Sequence, residues 1–550
     1  MVAMPLMASS AFAQQQSLPS GAEPGRETLK PVMPMPYESG RPIAVPGAPA
    51  VEAPEGSENY RFTLSAVQIS GATAFSQDEL RALYAGLIGK QVSVRDMFGV
   101  ANALEVKYRS AGYVTTRVLV PEQQVENGVF RITVVESFVS NIVYADDIGP
   151  ARHAVARLLE PLRGQRPISI AQIERRLLLA NDISGLTVRA TLEPSPDTPG
   201  GSVIVVRTQR KAIDASLAFD NRNSRYLGRQ ELVARTVFNA IDANGDRLGL
   251  SGKVATPSPD RSWYVGADYL APIGNNGMAF TLSGYFARSE PGLDLEPLEV
   301  ESKVVSVTGS LTYPIIRSRR QNLRAFGEFE YRNVRTDLAD TPFNRDHLRI
   351  MRAGLSYDRT DGWQGINAIQ FTIHQGLGIL DASDHGSLLS SRIDGHSQYT
   401  KFTLGATRIQ QLPSNLSVLA TVTGQLATRP VLASEEIALG GANFARAYDE
   451  GEVSGDKGWA GLLELRYSPP IAAFPNGIQF YGFYDAGQVW ALSDTRPQGA
   501  RTLMSAGGGI RANLLTNLFA TLEADKPLNR DVQTNGDRSV RVFFSITAHY

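Results

Sequence analysis

The sequence predicts small α+β units followed by a sixteen-stranded antiparallel transmembrane β-barrel, and three observations carry that prediction. Helical periodicity stops after Lys211. From there to Tyr550 the chain breaks into segments of alternating polarity, about ten residues or longer, separated by turn residues. Ahead of Lys211 a β-α-α-β-β order runs twice in succession.

The first elements are not structural. Small and apolar residues run from Val2 to Ala13, and Ala11-Phe12-Ala13 is a small-x-small cleavage pattern, so residues 1–13 read as the remnant of a signal peptide that lacks its basic start. Residues 14–58 are rich in Pro, Gly, Ala and Glu, which is linker composition. Within them only Arg26–Lys30 has any helical character.

The first unit is expected over residues 59–137. A strand runs from Phe62 to Ile69, Ser76 caps a helix carrying Leu80, Leu83, Tyr84 and Leu87, and Ser93 caps a second with Met97, Ala101, Leu104 and Tyr108 on one face. Strands Val114–Val120 and Val129–Val135 close it, joined at Glu126-Asn127-Gly128. The second unit, residues 138–210, repeats the order: strand Val139–Tyr144, helix Arg152–Leu162, a helix Ile170–Ile183 capped by Ser169, and strands Val188–Leu192 and Ser202–Thr208.

The barrel is expected over residues 211–550. Its last strand shows the pattern best: Val540, Val542, Phe544, Ile546, Ala548 and Tyr550 share one face, Arg541, Ser545, Thr547 and His549 the other, with Phe543 out of place. Leu323, Ala325, Phe329 and Tyr331 alternate in the same way with Arg324, Glu328, Glu330 and Arg332. No apolar run reaches the length of about 18 residues that a spanning helix needs. Connections after even-numbered strands are tight, such as Gly274-Asn275-Asn276-Gly277, and those after odd-numbered strands mostly longer, the longest at 428–456. Short periplasmic turns and long outer loops are the asymmetry of an outer-membrane barrel in a Gram-negative cell, and they put the N-terminal units in the periplasm. A soluble sandwich or propeller also alternates, but does not sort its loops this way over so many hairpins.

Composition narrows the function. A formal net charge of −1 gives no reason to expect a nucleic-acid partner. The absence of cysteine removes thiol catalysis and Cys-based zinc sites. His-Glu-x-x-His, Gly-x-Ser-x-Gly and phosphate-loop patterns are missing, so an enzyme is not expected, nor a cofactor. His385 and His396 read as solvated residues of an outer loop rather than metal ligands.

The informative residues lie in the longest loop, Leu439-Gly440-Gly441-Ala442-Asn443-Phe444-Ala445-Arg446-Ala447-Tyr448-Asp449-Glu450, and in strand 476–491. In that strand Tyr481, Phe483, Asp485 and Gly487 take the lumen parity. Folded inward, the loop would let Arg446 meet Asp485 as a bidentate pair, with Gly487 giving the loop backbone room at the wall. Two unrelated lumen charges are the plainer alternative.

Here the chain resembles the outer-membrane transporters of two-partner secretion, the TpsB family of ShlB, FhaC and HecB, in the superfamily that includes BamA. The resemblance rests on Arg446 and Tyr448 at the family's Val/Ile-Arg-Gly-Tyr/Phe loop motif, and on Phe483, Asp485 and Gly487 at its Phe-x-Asp-x-Gly strand motif. Gly112-Tyr113, Val120-Pro121-Glu122-Gln123 and Glu174-Arg175-Arg176-Leu177 are also similar. The resemblance covers roughly residues 60–550. It implies two tandem POTRA domains, a monomeric barrel, and export of one large secreted TpsA-type partner, unfolded in transit and haemolysin- or adhesin-like, without nucleotide hydrolysis. POTRA strand edges would receive that partner. An outer-membrane assembly factor of the BamA or TamA kind is the alternative, and a plain porin-like channel ranks below it. The loop motif departs from the family at Ala445 and Ala447; an alanine in place of the usual glycine suits a left-handed backbone poorly. The Pro-rich N-terminus speaks against a long plug helix.

Overall fold

The computed structural model describes residues 18–22, 33, 43–44, 51–198, 200–492 and 499–550. Residues 1–13, expected to be a signal-peptide remnant, most of the linker and Arg26–Lys30 lie outside the described residues.

The first unit forms because two capped helices bury one apolar face each. Ser76 and Ser93 each accept from the third backbone N–H of their helix, and Glu79 and Asp96 return the bond. The helix after Ser93, Val94–Ser110, buries Met97, Ala101, Leu104 and Tyr108 against Phe130, Ile132 and Val134 of strand Val129–Val135. Each such aliphatic side chain contributes about 1.5–3 kcal/mol on burial. The first helix is shorter than expected: it stops at Arg81, and Leu87 falls in a 3-10 turn, Ala85–Leu87. The expected strand Phe62–Ile69 is two strands. Arg61–Thr63 pairs with Gln91–Ser93, and Ala66–Ser70 pairs in parallel with Val129–Val135. A run of alternating residues cannot reveal that its two halves join different sheets.

The second unit has strand Phe138–Tyr144, helix Ala151–Leu159, helix Ile170–Asn181 and strands Leu186–Pro194 and Gly201–Arg210. Ser169 caps the second helix and Gln172 completes the box. Ile43–Ala44 of the linker adds to this sheet, parallel to Leu186–Pro194.

Sixteen antiparallel strands then close into a barrel, Ile213–Asp220 pairing with Arg541–His549 to seal it. The lipid and lumen faces separate as the alternation predicts: in the sixteenth strand Val542 and Ile546 are exposed while Arg541 is buried inward. Phe543 also faces the lumen, where the Arg222 guanidinium lies 4.4 Å and the Arg541 guanidinium 5.1 Å from its ring. One connection departs from the expected sorting. The seventh and eighth strands, Gln321–Leu338 and Thr341–Thr360, are joined by Ala339-Asp340 alone. Both residues have positive φ, 42° and 62°, which makes a tight hairpin turn without the Asn or Gly that announces one.

The second unit is docked to one rim of the barrel. Arg317 forms a fork with Asp182 at 2.7 and 2.9 Å, Arg319 pairs with Glu174, and Arg175 donates to the Pro314 carbonyl at 3.1 Å. The barrel residues of these contacts sit at the end of the sixth strand, Val300–Arg317, or in the turn after it, and Asn244 and Asn275, in the turns before the third and fifth strands, accept from Arg157 and Arg176. We call this the near rim and the opposite one the far rim.

Candidate functional site: a loop locked inside the barrel

The sixth far-rim loop, residues 428–456, does not project away from the barrel but folds into it. Its two short strands, Ile437–Leu439 and Val453–Gly455, form a hairpin that lies against the thirteenth strand, Ile478–Trp490. Two glycines turn the chain at its entry. Gly440 has φ +111°, and a Cβ there would lie 2.0 Å from the Asp449 carbonyl oxygen. Beyond them Phe444, Ala445, Ala447 and Tyr448 are buried with Leu439, Phe483 and Tyr481 in one apolar cluster.

The tip brings Arg446 and Asp485 together, but not as a side-chain pair. Asp485 Oδ2 accepts the backbone N–H of Arg446 at 3.1 Å, and its other oxygen accepts the Ser505 hydroxyl. The Arg446 guanidinium goes instead to Glu464 Oε2 at 2.7 Å and Glu523 Oε2 at 3.5 Å. It also lies 4.4 Å from the Phe483 ring, so that motif aromatic forms a cation–π floor. The bidentate Arg446–Asp485 pair is therefore corrected to a backbone bond plus a charge cluster. The physical reason is room: Glu464, on the neighbouring twelfth strand Lys457–Tyr467, pairs across from Phe483 and aims into the lumen with a longer side chain.

Glu464 is the hub that the sequence reading missed. It is fully buried and also accepts from Arg466 at 2.7 Å and from Arg511 at 2.8 and 3.1 Å. Three arginines on one carboxylate hold it in one rotamer. The available signal was parity: Glu464 is flanked by Leu463 and Leu465, which are lipid-exposed. On the loop, burial works against the Arg446 charge, and Glu464 and Glu523 more than offset it, holding the guanidinium pKa above its ordinary value.

The other motif residues are placed as follows. The Tyr448 hydroxyl donates to Asn529 Oδ1 at 3.0 Å and accepts from the Arg530 backbone at 3.3 Å, both in the last far-rim loop. Asp449 pairs with Arg541, which also donates to the Ala447 carbonyl at 2.7 Å. Gly487 does make room at the wall, though for the Leu439 side chain rather than for backbone; a Cβ would lie 2.8 Å from it. The left-handed residue of the motif is Ala445, φ 55°, not Ala447.

Opposite this half of the wall the lumen keeps a polar cavity of about 390 Å³, lined by Arg324, Glu328, Ser356, Gln370, Thr372 and His374 among others. Phe326 apart, its residues are hydrogen-bonding or charged, which suits a wetted passage and not a stored apolar ligand.

Known proteins share this architecture. The chain matches the haemolysin secretion/activation protein ShlB/FhaC/HecB family over residues 200–512 and the ShlB-type POTRA domain over residues 62–137. It is 21% identical over 536 residues to the Heme/hemopexin transporter protein HuxB of Haemophilus influenzae, covering 96% of this chain and 91% of that one. It is 22% identical to the Outer membrane transporter CdiB of Escherichia coli over 521 residues, 90% of this chain and 82% of the other. The solved structure of CdiB from Escherichia coli superposes with a TM-score of 0.76 at 20% identity, covering 91% of this chain and 92% of that one. By its barrel and its first N-terminal unit alike, the chain belongs to the ShlB/FhaC/HecB family, outer-membrane transporters of secreted partner proteins.

Proposed function

We propose that this chain is the outer-membrane pore of a two-partner secretion pair, exporting one large polypeptide of the haemolysin or adhesin kind. The observation that carries the reading is the loop 428–456 seated inside a closed barrel by the buried Arg446–Glu464–Glu523 cluster. The second β-α-α-β-β unit is a further POTRA domain, and both units stand in the periplasm at the near rim. They receive the partner unfolded, by adding its backbone to a free strand edge such as Ala66–Ser70. The barrel works as a monomer. The absence of a phosphate-loop pattern supports export without nucleotide hydrolysis, with folding outside the cell favouring net outward movement.

The test is Arg446→Ala in cells that carry the partner. Export falls to background, while the barrel still assembles and keeps its heat-modifiable mobility on gels. Export at the normal level would overturn the role of the lock. Depletion that lowers outer-membrane proteins in general, with no one secreted polypeptide affected, would point to the assembly-factor reading.

A further inference from the structure

The inward-folded loop is held a second time, at the open end of its hairpin, by a residue of the preceding far-rim loop (residues 377–399). Arg392 is buried. Its Nη1 donates to the Val431 carbonyl at 2.8 Å, Glu436 Oε1 at 2.9 Å and Asp456 Oδ1 at 2.7 Å. Its Nη2 lies 3.3 Å from Asp394 and 3.3 Å from the second oxygen of Asp456. Asp456, fully buried, also accepts the Val431 N–H at 2.8 Å and the Leu492 N–H at 2.7 Å, and Leu492 begins the next far-rim loop. Alongside, Ser391 donates its N–H to Asp346 of the eighth strand at 2.9 Å and accepts the Ala433 N–H at 3.0 Å. Arg392 thus joins two loops directly, while the next loop is tied in through Asp456 and the eighth strand through Ser391.

The position matters. Glu436 and Asp456 stand one residue outside the hairpin strands Ile437–Leu439 and Val453–Gly455, one on each leg. With the tip pinned, the open end of the hairpin is the part left to move, and Arg392 bridges the two legs there. Without the guanidinium, two buried carboxylates face each other, repel and draw in water, which drives the legs and the loops apart. None of these residues belongs to the Arg446–Glu464–Glu523 cluster, so the two anchors release independently.

We infer that Arg392 is a positioning residue that latches three loops together over the outer mouth, and that export requires this latch to part. This rests on the export reading above.

The chain has no cysteine, so Ser391→Cys with Ala433→Cys forms the one possible disulfide, across the latch. With the disulfide oxidised, export stops and large single-channel openings in planar bilayers disappear; reduction restores both. Arg392→Gln alone raises the frequency of those openings about tenfold or more and sensitises cells to vancomycin. Adding the oxidised disulfide to Arg392→Gln removes both effects, a rescue that general damage to the barrel would not show. Normal export through the oxidised disulfide, or unchanged openings in Arg392→Gln, overturns the latch. If the disulfide gates conductance while the unaltered chain exports no polypeptide, the export reading fails and the latch stands.

Discussion

The division of labour at the loop tip orders the effects of single substitutions there. Asp485 accepts a backbone N–H on one oxygen and a hydroxyl on the other; in an asparagine the amide oxygen can keep the N–H bond while the amide NH2 donates to the Ser505 hydroxyl, which turns to accept it. Asp485→Asn therefore retains most of the seat, whereas Asp485→Ala leaves a buried N–H unpaired at a cost of about 1–3 kcal/mol. Glu464 has no such substitute, because Glu464→Gln leaves three arginines short of a charge in a buried site, a loss of about 3–5 kcal/mol. Trypsin cleavage within 440–452, followed by mass spectrometry, should rise in the order unaltered chain, Asp485→Asn, Asp485→Ala, Glu464→Gln. If Asp485→Asn opens the loop as fully as Glu464→Gln, the side-chain charge of Asp485 matters more than its bonds indicate. Ala445→Gly works in the other direction: it relieves a left-handed alanine and should slow that cleavage, by about 1 kcal/mol at most. Arg446, Phe483 and Asp485 were legible in the sequence because motif spacing and strand parity both pointed at them. Glu464 and Glu523 were not, since a lumen-facing carboxylate on a barrel strand looks the same in sequence whether or not a loop reaches it.

At the scale of elements, the first N-terminal unit depends on one buried carboxylate. Glu136, at the end of strand Val129–Val135, accepts the Thr73 and Ala74 N–H groups at 2.6 and 2.8 Å, the Thr73 hydroxyl at 2.5 Å and the Tyr108 hydroxyl at 2.7 Å. Burial raises its pKa, but these four bonds outweigh it and hold the carboxyl below its ordinary range. A depressed folded pKa contributes stability that is complete above the unfolded value, about 4.3, and is lost as pH falls through the folded one. Hydrogen exchange of the whole protein in detergent should therefore show residues 66–75 and 129–136 losing protection below about pH 4, before the barrel does. Glu136→Gln should flatten that dependence and weaken the unit at neutral pH; a variant with unaltered protection would mean that the bonds are not what holds Thr73–Phe75 down. The capped helices of this region were readable from Ser76, Ser93 and Ser169 because capping is local chemistry. The split strand at 61–70 and the Ala339-Asp340 hairpin were not, because partner choice and turn strain are decided by tertiary contacts.

The whole molecule is a barrel with a rigid platform on its near rim. Only Lys211 and Ala212 separate the last strand of the second unit from the first strand of the barrel. That short tether alone would allow the unit to pivot, and the docking contacts are what stop it. The Arg317–Asp182 fork is the best-formed of them, and Arg317 is largely buried. Beside it the Leu179 side chain fills the space over Gly277, where a Cβ would lie 2.5 Å away and φ is +82°. A charged fork in this setting contributes about 1.5–3 kcal/mol. If the platform is fixed so that a polypeptide leaving the strand edges meets the lumen without a detour, loosening it should slow export with the pore itself intact. Asp182→Ala should speed hydrogen exchange across helix Ile170–Asn181 by about tenfold or more and reduce export, yet leave single-channel conductance unchanged. Gly277→Leu, which displaces Leu179 by sterics with no loss of charge, should do the same. Faster exchange with export at the normal rate in both variants would mean that the second unit works as a free arm, and that its docked position is a resting state only.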